Sequence, residues 1–150
     1  MLEDTPLGLV LIDSARLLRL RIDRALEDAQ LGLTAGEARA LVYANLHNAS
    51  RQSALAARMG VEPMTLVGFL DRLEAAGLVT REPDPSDRRA KIVRLTPQAQ
   101  PLLERAVAVM RGVREAALEE FRPEEVALLK SMLYRLRARL IADDREGRAP

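Results

Sequence analysis

The sequence has no cysteine and no tryptophan, and only two tyrosines and two phenylalanines. Without a thiol, the chain cannot form a disulfide, a thiolate metal site or a cysteine redox switch. No apolar run is long enough to span a bilayer. The opening residues Glu3 and Asp4 are acidic, where a secretory signal would be basic. We therefore expect a cytoplasmic protein.

Signatures of catalysis are also missing. His47 is the single histidine, and a lone histidine is usually structural or exposed. The sequence contains no glycine-rich phosphate-binding loop, no His–Glu metal spacing and no nucleophile elbow. Its many carboxylates alternate with arginines along helical stretches, which is typical of surface ion pairs. We predict neither an enzyme nor a bound metal or cofactor.

Charge of one sign is not in excess. The 23 lysines and arginines nearly balance the 22 acidic residues, so the formal net charge is only +1. Affinity for a polyanion such as DNA would have to come from where the cations lie rather than from their number. Apolar residues form 48% of the 150 positions, enough for a sizeable core, and the length suits one compact domain or one domain plus a dimerisation extension.

The N-terminal half has helical periodicity. Between Pro6 and Ala29, apolar residues recur every three or four positions, which predicts a long amphipathic helix. Thr34 and Glu37 then have the spacing of a capping box, which predicts the start of a second helix. The residues that this second helix should bury are Ala38, Leu41, Val42 and, at its end, Leu46.

The C-terminal third predicts two more helices, one from Pro97 to about Glu120 and one beginning after Pro123. In the second, apolar residues follow a 3-4-3-4 spacing, which is typical of helices packed nearly parallel. Such a face can be buried within one subunit or between two subunits. We favour a dimer, because these long helices carry more apolar surface than the core of one small domain needs. The spaced residues are Val126, Leu129, Leu133, Leu136 and Leu140.

The middle of the chain predicts a helix-turn-helix. A short helix from Gln52 ends at Gly60, where a glycine tolerates positive φ. Pro63 then suits the first position of a new helix, which Gly77 ends. Two short helices joined by a tight turn are the helix-turn-helix pattern, with Ala56 as the small residue at the crossing. Unrelated helical hairpins share this spacing, so an ordinary hairpin is the alternative.

A basic hairpin is predicted directly after it. Residues 78–81 and 90–95 have the composition of antiparallel strands, and the segment between them is rich in turn-forming and charged residues. Its cations are Arg88, Arg89 and, on the second strand, Lys91. A solvated charged loop is one interpretation. After a helix-turn-helix, however, a basic hairpin is typical of a winged helix, whose usual partner is duplex DNA.

These motifs closely resemble the MarR family of bacterial transcription regulators. The resemblance rests on the run Leu70–Val79, on Asp84–Lys91 and on Val93-Arg94-Leu95-Thr96. Gly60-Val61-Glu62, Leu66-Val67 and the opening Thr5-Pro6-Leu7-Gly8 are most similar to the SlyA type. The family implies a homodimeric transcription regulator, either a repressor or an activator, on a pseudo-palindromic double-stranded operator. In family members, a small and often aromatic anionic effector releases the DNA.

The expected fold is mainly α with a small β-hairpin wing, an α+β winged helix-turn-helix. We place dimerisation helices at 1–33 and 97–142, and the DNA-binding domain at 34–96. Within that domain, the helix-turn-helix covers about 52–76 and the wing about 78–95. Residues 143–150 are predicted to form a flexible tail.

The resemblance also implies DNA contacts. The helix from Pro63 would enter the major groove, Arg89 would reach the minor groove, and Asp87 would orient a neighbouring arginine and hold the hairpin tip. Arg72 has two open roles, structural or phosphate-binding. Residues nearest the bases would be Pro63, Met64, Thr65 and Gly68; phosphate contacts would be Ser50, Arg51, Gln52, Arg81, Arg88 and Lys91.

One departure concerns base specificity. Many SlyA-type members carry an arginine where this chain has Gly68, and a glycine cannot contact guanine through a side chain. A winged helix that serves only protein–protein assembly is the alternative to a regulator. Such a module would have no need for the cluster of Arg88, Arg89 and Lys91.

Overall fold

The computed structural model describes residues 5–146, which divide into two compact units on either side of the Arg114–Glu115 junction. Residues 1–4, including the acidic Glu3 and Asp4, lie outside the described part, as do residues 147–150 at the end of the predicted tail. No helix within the described range is long and apolar enough to cross a membrane.

The first unit is a helical domain with one small sheet. Its elements in chain order are α1 (Leu7–Asp28), α2 (Ala35–Leu46), β1 (Ser50–Arg51), α3 (Gln52–Met59), α4 (Pro63–Ala75), β2 (Val79–Asp84), β3 (Asp87–Leu95), a 3₁₀ turn (Pro97–Ala99) and most of α5 (Gln100–Ala117). The antiparallel sheet has the order β1-β3-β2. The second unit holds the end of α5 and all of α6 (Pro123–Glu146). The predicted α+β winged helix is confirmed.

Local sequence signals set the helix ends. The capping box is present: Glu37 N–H donates to Thr34 Oγ1 at 3.2 Å, and Thr34 N–H donates to Glu37 Oε2 at 2.9 Å. Gly60 and Gly77 have φ of +64° and +72°, the left-handed conformation that ends α3 and α4 as predicted. After α4, Leu78 N–H reaches back to the Leu73 carbonyl. This contact directs the chain into β2.

The core lies where α2, α3, α4 and the sheet meet. Ala38, Leu41 and Val42 are buried as predicted, whereas Leu46 is 66% exposed and that prediction was wrong. Leu46 is the last residue of α2, and the chain then turns away through Ala49, whose φ is +58°. The largest fully buried side chains are Leu26, Leu41, Leu55, Met59, Leu66, Leu70, Leu73, Val79 and Val93.

Two helices leave apolar side chains exposed. In α1 only the C-terminal part reaches the core, through Leu26, while the N-terminal half exposes a row of large apolar residues. In α6 most of the apolar residues are exposed as well. These residues are Leu7, Leu9, Val10, Ile12, Leu17, Leu18 and Leu20 on α1, and Leu128, Leu129, Met132, Leu133, Tyr134, Leu136, Leu140 and Ile141 on α6.

Some element boundaries differ from the predictions. The strands of the wing extend to Asp84 and from Asp87, which leaves only Pro85 and Ser86 as its turn. Arg88 and Arg89 therefore lie on β3 and not in a loop. Strand β1 was not predicted, because two residues carry no periodicity. The helix predicted to end at Glu120 ends at Ala117, and α6 continues to Glu146, beyond the predicted boundary at 142.

Candidate nucleic-acid interface

The N-terminal turn of α4 is open to solvent. Pro63 occupies its first position, and Met64 and Thr65 are exposed beside it. Gly68 lies one turn further along, and a helical spacing of three or four residues places it on the same face as Met64 and Thr65. The opposite face of α4 is anchored by the fully buried Leu66, Leu70 and Leu73. The four predicted base-contacting positions are therefore together on one rigidly held surface.

Arg72 continues this face but is tied to the domain core. Its Nε donates to Oε1 of Glu37, and its guanidinium lies 5.8 Å from the ring centre of Phe69. The Glu37 side chain is only 6% exposed. Burial by itself would raise the pKa of Glu37, but the hydrogen bonds from Arg72 and Thr34 outweigh it and lower that pKa. Arg72 thus makes a contact that joins α4 to α2, while its side chain remains 58% exposed; its phosphate-binding role stays a prediction.

A second contact fixes the same two helices. The Phe69 ring lies directly over Gly36 of α2, and a Cβ at position 36 would overlap the ring. Only glycine permits this approach. Together with the Arg72–Glu37 pair, it determines where the exposed face of α4 points.

The second strand of the wing, β3, carries cations without ion-pair partners among the described residues. Arg88, Arg89 and Lys91 are exposed on β3, and none forms an ion pair with any residue in the described part of the chain. Asp87 Oδ1 accepts a hydrogen bond from the backbone N–H of Arg89 at 3.0 Å. Asp87 therefore restrains the backbone at Arg89, and its role in orienting an arginine side chain stays a prediction.

Arg81 has a different environment from the one we expected. Its Nη2 lies 2.7 Å from Asp71 Oδ1 and 2.5 Å from Glu74 Oε2, and its side chain is 18% exposed. The hydrogen bond to Glu74 is the largest cause of a raised pKa for Arg81 and a lowered pKa for Glu74. Two carboxylates of the protein thus already compensate this guanidinium, and the phosphate contact by Arg81 stays a prediction.

The segment before α3 is also engaged internally. Ser50 Oγ donates to the His47 carbonyl at 2.5 Å and accepts from Arg58 Nη1 at 2.9 Å. Arg51 donates from Nε to Asp84 at 2.6 Å and from Nη2 to Ser86 Oγ at 3.0 Å. Gln52 Oε1 is buried without a hydrogen-bond partner among the described residues. The hydroxyl of Ser50 and two donors of Arg51 are thus occupied within the protein.

Asp84 is a residue that our sequence reasoning missed as part of the site. It is 7% exposed, and its Oδ1 accepts from the N–H and the hydroxyl of Ser86 at 2.8 and 2.7 Å. These hydrogen bonds lower the pKa of Asp84. An aspartate two residues before a serine in a Pro-containing turn is a signal for such a local bond, so this half of its role was readable.

Comparison with known proteins identifies the family. Residues 33–91 match the MarR family. A crystal structure of a Mycobacterium tuberculosis MarR-family protein in complex with salicylic acid is 30% identical, with a TM-score of 0.71, over 91% of this chain and 99% of that one. The chain belongs to the MarR family. Every residue that we predicted to contact DNA lies within the matched segment.

Two further structures are similar to this MarR-family chain over nearly its whole length. A crystal structure of MarR is 27% identical over 95% of this chain and 96% of that one, with a TM-score of 0.77. CouR from Rhodococcus jostii, bound to p-coumaroyl-CoA, is 26% identical over 91% and 94%, with a TM-score of 0.72. The chain thus has the fold of the MarR-family transcriptional regulators, some of which have been solved with ligands bound.

Proposed function

We propose that this MarR-family chain is a sequence-specific, double-stranded DNA-binding transcriptional regulator of the SlyA type, acting as a homodimer on a pseudo-palindromic operator. The observation that carries the proposal is the row of uncompensated cations on β3: Arg88, Arg89 and Lys91. Arg94 on the same strand pairs with Glu82 at 3.3 Å, and Arg81 on β2 pairs with Asp71 and Glu74. The available positive charge is concentrated on the part of the wing nearest its turn.

That placement suits a minor groove. A narrow A·T-rich groove concentrates negative potential, and an arginine on a projecting hairpin responds to it. Arg89 is the side chain that we assign to the groove, since Asp87 holds its backbone. Arg88 and Lys91 are assigned to the flanking phosphates. Phosphate contacts fix the register of the protein on the duplex but carry no sequence information directly.

Sequence readout falls to the exposed face of α4. Thr65 can donate to a base or a phosphate, and Met64 and the Thr65 methyl group can contact a thymine methyl. Gly68 offers no side chain, so its part of the helix is read through close backbone approach or DNA shape. This chain should therefore depend more on apolar contacts and DNA deformability than relatives with an arginine at this position.

Dimerisation is supported by the apolar surface of α1 and of α6. Each helix exposes more large apolar side chains than the scattered single residues usual on a monomer surface. A two-fold symmetric dimer would cover the same patch on both subunits. It would also present two copies of α4 to successive major-groove half-sites, one helical turn apart.

An aromatic, anionic effector is the third part of the proposal. Its support is that two similar proteins were crystallised with salicylic acid and with p-coumaroyl-CoA. A ligand of this class would act by favouring a dimer geometry in which the two recognition helices no longer match adjacent half-sites. Salicylate is the first compound to test, as a competitor of DNA binding.

The test is fluorescence anisotropy with a labelled duplex from the protein's own promoter region, against a scrambled duplex, over a salt series. We expect a preference of about a thousandfold for the promoter fragment. The logarithm of affinity should fall with the logarithm of salt by about 0.9 per phosphate neutralised. Binding of neither duplex at low salt, by protein shown to be free of bound ligand, would contradict the proposal and favour the assembly module.

A further inference from the structure

Three polar side chains from separate parts of the sequence meet beneath the wing turn. They are Arg51 of β1, Asp84 at the end of β2, and Ser86 in the turn, and we call them the wing latch. Arg51 donates to Asp84 Oδ2 and to Ser86 Oγ at 2.6 and 3.0 Å. Asp84 Oδ1 accepts both donors of Ser86. Both carboxylate oxygens of Asp84 are thus used.

The latch joins the two outer strands of the sheet. β1 and β2 lie on opposite edges of β3, with Arg51 paired to Ile92 and Pro83 to Lys91. The Arg51 side chain therefore spans the central strand to reach Asp84. Arg51 is also the residue immediately before α3, so the latch connects the helix-turn-helix to the end of the wing.

We propose that Arg51 is a positioning residue for DNA binding rather than a phosphate contact: through Asp84 it holds the wing so that Arg88, Arg89 and Lys91 are presented in one orientation. This inference rests on the proposed DNA-binding function. It replaces the role that the sequence predicted for Arg51. It also assigns a role to the buried Asp84, which direct contacts with DNA alone would leave unexplained.

A wing needs such support for a physical reason. A two-stranded hairpin is at best marginally stable by itself in water. The β2–β3 ribbon extends beyond the two residues of β1, so its end has no third strand beside it. The hydrogen bonds from Arg51 to Asp84 and Ser86 restrict the motion of this end of the ribbon, and the bond to the carboxylate is charge-assisted. Restriction before binding lowers the entropy lost when the wing enters the groove.

The two roles of Arg51 predict opposite effects for Asp84→Ala. If Arg51 contacted phosphate, removing its partner would free the guanidinium and strengthen DNA binding. If the latch positions the wing, the same change weakens binding. Since any lost carboxylate reduces repulsion from DNA, the matched control is Glu82→Ala, two residues earlier on the same strand and paired to exposed Arg94. We expect Asp84→Ala to bind about fivefold more weakly than Glu82→Ala.

Arg51→Lys separates charge from geometry. Lysine keeps the charge that a phosphate contact needs but lacks the planar fork that reaches Asp84 and Ser86 together. The latch predicts a loss of affinity of about the same size, about fivefold, with no change in the salt slope. Wild-type affinity for Arg51→Lys, or a slope reduced by about 0.9 in Arg51→Ala, would overturn the proposal.

Amide hydrogen exchange measured residue by residue, without DNA, tests the latch independently. Arg51→Lys and Asp84→Ala should each speed exchange of the β2–β3 amides nearest the turn, while the α2 amides in the core serve as an internal reference. Unchanged wing protection in both variants would refute the latch. If these variants speed exchange of the wing amides but the wild-type protein binds no DNA, the latch is supported and only the DNA-binding function is refuted.

Discussion

Two groups of cationic side chains lie within twenty residues of each other in the sequence but differ in whether they form ion pairs within the protein. Arg72 and Arg81, on α4 and β2, are bound to carboxylates of the same domain. Arg88, Arg89 and Lys91, on β3, have no ion pair within the described residues. In the sequence the two groups look alike. The comparison shows that a count of basic residues overestimates the charge available to a polyanion.

The difference follows from what each group packs against. Arg81 lies beside α4, which supplies Asp71 and Glu74 one turn apart, so the arginine can satisfy its donors without DNA. The three cations of the β3 group lie in the first half of that strand, beside the wing turn, where Asp87 accepts a hydrogen bond from the backbone N–H of Arg89. Within a Debye length, about 10 Å at 0.1 M salt, an arginine paired with a carboxylate adds much less net potential at a phosphate than an unpaired arginine does.

The largest effect should come from Arg89→Ala. We expect DNA binding to weaken by about 1–3 kcal/mol, that is, about 5- to 150-fold, with the fold and the dimer intact. Anisotropy gives the affinity, and sedimentation gives the dimer. Arg94→Ala is the matched control, because Arg94 is exposed on the same strand but already paired with Glu82. Equal losses of DNA affinity in both variants would mean that an ion pair within the protein does not decide which arginine contributes to DNA binding.

Arg81→Ala should act on stability rather than on DNA. The change leaves Asp71 and Glu74 without their shared cation, and a lost charge-assisted hydrogen bond at a largely buried guanidinium costs about 1–3 kcal/mol. Urea unfolding measures this loss. The salt slope of DNA binding should stay at the wild-type value. If the salt slope of DNA binding falls by about 0.9 and the stability is unchanged, Arg81 contacts a phosphate.

The sequence predicted local features of this molecule better than distant ones. The capping box of Thr34 and the stops at Gly60 and Gly77 depend on neighbouring residues, and they occur as predicted. The carboxylate partners of Arg51 and Arg72 could not be predicted in this way, because they lie 33 and 35 residues away in the sequence. Such pairs are decided by which elements pack together. The sequence therefore predicted a DNA contact for Arg89 and for Arg81 alike, and it could not show that only Arg81 of the two has carboxylate partners among the described residues.

Glu37→Gln tests the paired group through pH. Glutamine can still accept from Thr34 N–H but cannot form the ion pair with Arg72, so we expect a loss of about 1–2 kcal/mol near neutral pH. The folded pKa of Glu37 lies below its usual 4.5. Its contribution is therefore complete above pH 4.5 and is lost as the pH falls through the folded value.

The measurement is the free energy of unfolding in urea for wild type and Glu37→Gln, from pH 7 down to pH 3. The difference between the two proteins should shrink at the acid end. Glu27→Gln, at an exposed glutamate of α1, controls for the general effect of removing a carboxylate. A difference that is the same at both pH extremes would show that the ionised form of Glu37 is not what stabilises the α2–α4 contact.

The smallest effect is expected at Gly68 in α4, one helical turn before Arg72. A Cβ there would meet Arg72 Nη1 at 3.8 Å, an ordinary contact. Gly68→Ala should therefore raise stability by up to about 1 kcal/mol. Gly112→Ala, in α5 with open space around it, should give a similar gain and serves as the control. If α4 approaches DNA through its backbone at Gly68, only Gly68→Ala will lose affinity while gaining stability. Unchanged DNA affinity in both variants would mean that α4 reads the DNA sequence through Met64 and Thr65. Gly68 would then only leave room for the Arg72 side chain.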